Sequence, residues 1–87
     1  MASINWTPHA WRQLIKLPQT DSKKIYIAVG TLVEWPNVSN VKALSARTGY
    51  RLRVGRYRVI FSVDDKGQAT IITIEQVKKR DEHTYNQ

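Results

Sequence analysis

The 87-residue chain carries 14 lysines and arginines against 7 aspartates and glutamates, a formal net charge of +7, and no cysteine. That length allows one small domain spanning residues 1–87, with a modest core, and excludes a multidomain enzyme. The lack of cysteine excludes a disulfide framework and a thiolate metal site, and the charge points to nucleic acid or an acidic protein as partner. Only Arg12, Lys16, Lys23 and Lys24 among the basic residues precede residue 42, against Asp21 and Glu34, so most of the excess lies in residues 42–87, with ten basic and five acidic side chains. The first residues lack a charged segment followed by an apolar one, and no apolar run approaches about 18 residues. The expectation is a soluble, unexported, cytoplasmic protein.

Taken in order, Ser3-Ile4-Asn5-Trp6 alternates and predicts a short edge strand. Thr7-Pro8 then offers an N-cap and a first helical residue, opening a helix over residues 8–17 with Trp11, Leu14 and Ile15 as its apolar side. Pro18 stops it, because proline lacks the amide proton and clashes with the preceding turn. Thr20 or Asp21 caps a second helix whose apolar residues Ile25, Ala28, Val29, Leu32 and Val33 fall at i, i+3, i+4, i+7 and i+8. Trp35-Pro36 ends it, and the two helices form a hairpin. Residues 36–49 read as a polar loop anchored by Val41 and Leu44.

The stretch from Tyr50 to Val63 predicts two strands hinged at Gly55-Arg56, a Gly-first pair suited to a type II′ turn. That loop sets Val54 opposite Tyr57, Arg53 opposite Arg58, Leu52 opposite Val59, Arg51 opposite Ile60 and Tyr50 opposite Phe61. Alternation then makes one face apolar and aromatic and gathers Arg51, Arg53 and Arg58 on the other. Opposed like charges cost roughly 0.2–1 kcal/mol, so the cluster reads as an anion site built on a sheet. Asp64-Asp65-Lys66-Gly67 supplies the next reversal. The run from Ile71 to Val77 does not alternate cleanly, as expected of a central strand covered on both faces; with Ile72 and Ile74 toward the helices, Glu75 and Val77 share the arginine face. Residues 78–87 form a charged tail or a single helical turn. Helices followed by strands predict an α+β domain, a helix hairpin on one face of a small antiparallel sheet.

The order strand, helix hairpin, Tyr50-Arg-Leu-Arg-Val-Gly55-Arg-Tyr-Arg-Val-Ile-Phe61, then Lys79-Arg80-Asp81 before Tyr85, resembles the RelE/ParE toxin superfamily over nearly the whole chain. The resemblance implies a RelE-like microbial RNase fold: an N-terminal helix hairpin on a small twisted antiparallel sheet, with a short first edge strand. It further implies a bacterial or phage toxin paired with an antitoxin encoded beside it. The RelE branch cleaves mRNA in the ribosomal A site, against the small-subunit rRNA, without metal or cofactor; the ParE branch poisons DNA gyrase and is no nuclease. Both share the arginine block, so both remain open, as does an inactive relative that binds without cutting.

Carried over by position, Arg51 and Arg53 fall where RelE-like toxins place two strand cations, Arg58 on the arginine of the next strand, Arg80 on the basic residue after the last strand and Tyr85 on the tyrosine near the C-terminus. Two positions depart from the pattern. RelE has lysines where Arg51 and Arg53 stand, and an arginine, charged up to about pH 12, is a poor general base. Tyr85, His83 and Glu75 are the remaining acceptors, of which a histidine has the best-placed unperturbed pKa, about 6.5. The hairpin loop, commonly acidic in relatives, carries Arg56. Trp6, Trp11, Trp35, Tyr50, Tyr57 and Phe61 read as packing residues rather than base platforms. His9 reads as surface, Asp64 and Asp65 as turn formers, Lys23 and Lys24 as a solvated face. Lys42 and Arg47 divide evenly between solvent and RNA backbone.

Overall fold

The structure, a computed structural model, describes residues 2–65, 67 and 69–79. Its elements are β1 (Ala2–Trp6), α1 (Pro8–Ile15), α2 (Gln19–Gly30) with a 3-10 turn over Thr31–Glu34, then β2 (Val41–Ala43), β3 (Tyr50–Val54), β4 (Tyr57–Asp64) and β5 (Thr70–Lys79). The five strands form one sheet in the order β1-β5-β4-β3-β2. It is antiparallel throughout except that β1 joins the outer side of β5 in parallel. Both helices pack on one face, giving the expected α+β architecture. No described helix is long and apolar enough to cross a membrane.

The start of α1 stitches helix to sheet. Thr7 Oγ1 accepts from the Ala10 amide at 3.1 Å, which satisfies one of the helix's orphan donors. The same hydroxyl donates to the Ile74 carbonyl at 2.8 Å, which also accepts from the Thr7 amide at 3.1 Å. Gln13 continues the seam, its Oε1 accepting from the Val77 amide at 2.7 Å, beyond the last residue that β1 reaches. Ala10 and Leu14 are buried, whereas Trp11 is 42% and Ile15 61% exposed, correcting the apolar side read from sequence. Trp11 instead packs edge-on against Trp6 with ring centroids 5.4 Å apart, while Tyr26 stacks on Trp6 at 6.1 Å. Trp11 and Tyr26 thus cover Trp6, which itself packs against the core.

In α2 the expected register holds: Ile25, Val29 and Leu32 are fully buried against Leu52, Val59, Phe61, Ile72 and Ile74. Each such side chain contributes about 1.5–3 kcal/mol of burial. The cap differs. Pro18 occupies the N-cap position with no side-chain bond, and Asp21 lies inside the first turn. Its carboxylate is favourable there beside the helix's positive end, and Oδ2 accepts from the Tyr57 hydroxyl at 2.7 Å, tying α2 to the start of β4. That bond to an anion is the main cause holding the Tyr57 phenol above its usual 10.0, with burial second.

Two strand features depart from expectation. Residues 41–43 are not loop but a three-residue strand on the outer side of β3. In β5 the ladder shifts between Ile60 and Phe61: Phe61 pairs with Ile74 but Ile60 pairs with Gln76, leaving Glu75 as an extra residue. The irregular run is therefore a bulged strand, not one covered on both faces. Ile72 and Ile74 face the helices as expected and Glu75 faces away, but the bulge returns Val77 to the core, where it is 5% exposed.

Replacing Tyr57 with Phe is expected to cost about 1.5–3 kcal/mol in urea unfolding, the range for a hydrogen bond to a charged group. Because the folded-state pKa is raised, this contribution is fully present below about pH 10 and is lost as pH rises through the folded value. The gap between wild type and Tyr57→Phe should therefore be flat at neutral pH and close at alkaline pH; an unchanged gap above the tyrosine range would contradict the assignment.

Candidate functional site

The β3–β4 hairpin positions the site, and its register is the one the loop dictates: Val54 opposite Tyr57, Arg53 opposite Arg58, Leu52 opposite Val59, Arg51 opposite Ile60 and Tyr50 opposite Phe61. Gly55 has φ +58°, whereas Arg56 is not in the left-handed region, the combination a type II′ loop uses. Leu52, Tyr57, Val59 and Phe61 are buried on the helix side. Tyr50 lies stacked on Phe61 at 5.6 Å and edge-on to Trp35 at 4.8 Å. These aromatic residues belong to packing, as their sequence setting predicts.

The opposite face carries Arg51, Arg53 and Arg58. The three guanidinium-bearing residues, with Tyr57 at the margin, line one hollow of about 80 Å³. Arg51 and Arg58 are half-buried and Arg53 is exposed. Ile60, between Arg51 and Gln76 in the register, is buried on this face and gives it an apolar floor. None of the three arginines is ion-paired to a described residue. Two larger hollows, of about 290 and 450 Å³, lie on the outer side of the helices and share Gln19 and Lys23. The first is lined by Lys23 alone among charged residues and the second by Lys23 and Lys24, against three arginines around the smaller hollow, so charge rather than volume singles out the candidate site.

The register adds two cations that the sequence did not single out for this site. Lys78 stands directly opposite Arg58, and Lys42 directly opposite Arg51. Lys78 was hidden inside a basic run whose sidedness depends on the bulge, and Lys42 in a segment read as loop. Glu75, which alternates with Ile74 onto this face, lies 3.8 Å from Arg47 in a solvent-exposed ion pair, a contact worth about 0–1 kcal/mol. Arg56 is exposed in the loop and does not line the hollow. Arg80, His83 and Tyr85 lie outside the described residues. Among the described residues no group of His, Cys, Asp or Glu is arranged to hold a metal ion.

No family model and no curated protein matches the sequence. Solved structures do. The chain is similar to one from the archaeal RelE–RelB complex of Pyrococcus horikoshii, with 25% identity, a TM-score of 0.77, and coverage of 93% of this chain and 97% of that one. It is similar to one from the RelBE2 toxin–antitoxin complex of Mycobacterium tuberculosis, with 28% identity, a TM-score of 0.75 and coverage of 91% and 98%. The isolated RelE toxin of E. coli shares the fold at 16% identity, with a TM-score of 0.77 and coverage of 99% and 92%.

Three cations held on a rigid sheet without counter-charge among the described residues store repulsion that an oxyanion relieves. Sulfate should therefore raise the Tm of the wild type more than chloride does at equal ionic strength, and this excess should shrink for Arg58→Ala. In low salt without sulfate, Arg53→Gln should be neutral or stabilising by about 0.2–1 kcal/mol. Calorimetry with the two salts checks both, and equal salt effects on the two proteins would remove the case for an anion site.

Proposed function

We propose that this chain, a member by fold of the RelE/ParE toxin superfamily, is the toxin of a type II toxin–antitoxin system and acts in the cytoplasm as a ribosome-dependent mRNA endonuclease. The observation that carries the reading is the convergence of Arg51, Arg53 and Arg58 on one small hollow without a described counter-charge. In the reaction, the 2′-oxygen of the nucleotide in the A site attacks the adjacent phosphorus while the bond from phosphorus to the 5′-oxygen breaks. The 2′-hydroxyl proton passes to a base and the leaving oxygen takes up a proton. The products are a 2′,3′-cyclic phosphate and a 5′-hydroxyl end.

Negative charge grows on the phosphoryl oxygens and on the leaving oxygen, where fixed guanidinium donors stabilise it more than they stabilise the ground state. No metal ion is needed for that part of the work. Arginine is unsuited to the proton transfer, so we assign it to the C-terminal segment, with His83 as base and Tyr85 stacking on a base of the RNA, a contact worth about 1–3 kcal/mol. Arg80 joins the phosphate contacts. The cognate antitoxin is the second partner: an acidic segment lying on the arginine face would occupy the same hollow and exclude RNA. The RelE–RelB complex of P. horikoshii supports a partnership of this kind.

The competing reading is a ParE-like gyrase inhibitor. One observation favours it: no described residue lining the hollow is a carboxylate or a histidine, and an inhibitor that only binds needs no proton acceptor. Primer extension after induction in cells separates the two. A ribonuclease gives cuts within A-site codons that fall about 10²–10³-fold for Arg58→Ala and for Arg80→Ala. Undiminished cutting by both variants overturns the assigned roles, and an SOS response with intact mRNA and inhibited supercoiling establishes the gyrase alternative.

A further inference from the structure

The hollow between Arg51, Arg53 and Arg58 has a volume of about 80 Å³, room for a single phosphate group, yet the cationic face does not end at its walls. Lys42 on β2 is opposite Arg51, and Lys78 on β5 is opposite Arg58, which in turn is opposite Arg53. Opposed residues share a face of the sheet. The five cations therefore form one continuous band across four neighbouring strands, about 14 Å wide at about 4.8 Å per strand. Neither lysine lines the hollow, both are exposed, and neither is ion-paired to a described residue. Glu75, on the same face, is engaged with Arg47.

From this placement we infer that Lys42 and Lys78 are two further phosphate subsites, one on each side of the central hollow, and that a single-stranded RNA crosses the sheet perpendicular to its strands from β2 to β5. The inference rests on the reading of RNA as the substrate and adds the path of its backbone. Because neither lysine lines the hollow, a single phosphate bonded there at about 3 Å to the arginines leaves the cations of both flanking strands unaccounted for. Successive phosphates of one strand can, because each brings its own charge to the next cation. Parity supplies an internal control. Lys79 is adjacent to Lys78 in sequence but is opposite Tyr57 and so belongs to the helix side.

The test is fluorescence anisotropy of the full chain with a labelled, uncleavable 2′-O-methyl oligouridylate of about nine nucleotides, the length range of one single-strand site, over a salt series. Lys42→Ala and Lys78→Ala should each lower the slope of log affinity against log salt by about 0.7, the value for one single-strand phosphate contact. Lys78→Arg should retain the wild-type slope, and Lys79→Ala should leave it unchanged. With uridylyl-uridine, which has one phosphate, followed by NMR shifts, the two lysine variants should match the wild type while Arg58→Ala weakens binding. An unchanged slope for either lysine variant, or an equal loss with Lys79→Ala, overturns the path. These outcomes are separate from the nuclease reading: wild-type protein that cuts mRNA while its lysine slopes stay unaltered sinks the path alone, and protein that shows the slopes without cutting sinks the nuclease alone.

Discussion

The architecture depends on a two-residue loop. Gly55-Arg56 joins β3 to β4 with the right-handed twist that a type II′ geometry matches, and so fixes which residues oppose one another. A slip of one position would turn every side chain of β3 over. It would place Arg51 and Arg53 against Ile25 and Val29 and expose Leu52. Burying an unpaired guanidinium costs far more than the roughly 0.2–1 kcal/mol of repulsion that the observed pairing accepts between Arg53 and Arg58. Core formation and charge clustering are therefore one event. The same parity that buries Leu52, Val59 and Phe61 also gathers the arginines.

The last strand needs a second device to keep that parity. Its inner face must meet α1 along Ile72 and Ile74 and then Val77, an odd spacing that a regular strand cannot provide. The extra residue at Glu75 absorbs the mismatch, and hydrogen bonds from outside the ladder hold the strand where it bends: Thr7 on the Ile74 carbonyl and Gln13 on the Val77 amide. The consequence reaches the far face. Without the bulge Lys78 would be turned toward the helices and Lys79 toward the arginines. A residue that never approaches the hollow thus decides which lysine stands beside Arg58.

Those two devices differ in how far the sequence discloses them. The hairpin was legible because its loop residues, its alternation and its charge pattern all specify the same register. The helix α2 was legible because five apolar residues repeat at helical spacing. The bulge was not, since Ile71 to Val77 offers apolar residues at both parities and only packing against α1 chooses between them. Nor was β2: three residues, two of them exposed, carry too little pattern to separate a strand from a loop. Trp11 misled for a physical reason. A large aromatic at a core-compatible helical position is ordinarily buried, but here Trp6 and Tyr26 offer ring contacts at the surface while Ala10 takes the tight position against the sheet. The gathering of Arg51, Arg53 and Arg58 on one face was readable from the hairpin's loop and alternation; Lys42, open between solvent and RNA backbone in the sequence, and Lys78 required the ladder for their positions.

The division of labour that results bears on the chemistry. A sheet face built from arginines gives fixed, permanently charged donors, which suits stabilisation of a phosphorane-like charge and is indifferent to pH. It gives no group that exchanges a proton near neutrality. Glu75 alternates with Ile74 onto this face, and its partner Arg47 comes from the segment between β2 and β3. Under the proposed nuclease reading, phosphate recognition falls to the hairpin and proton transfer to the residues that follow β5. On that reading, a protein that keeps the hairpin but alters the terminal segment would retain its grip on phosphate and lose cleavage. One scaffold can in this way carry either a nuclease or a binder, with the difference lying in a few residues rather than in the fold.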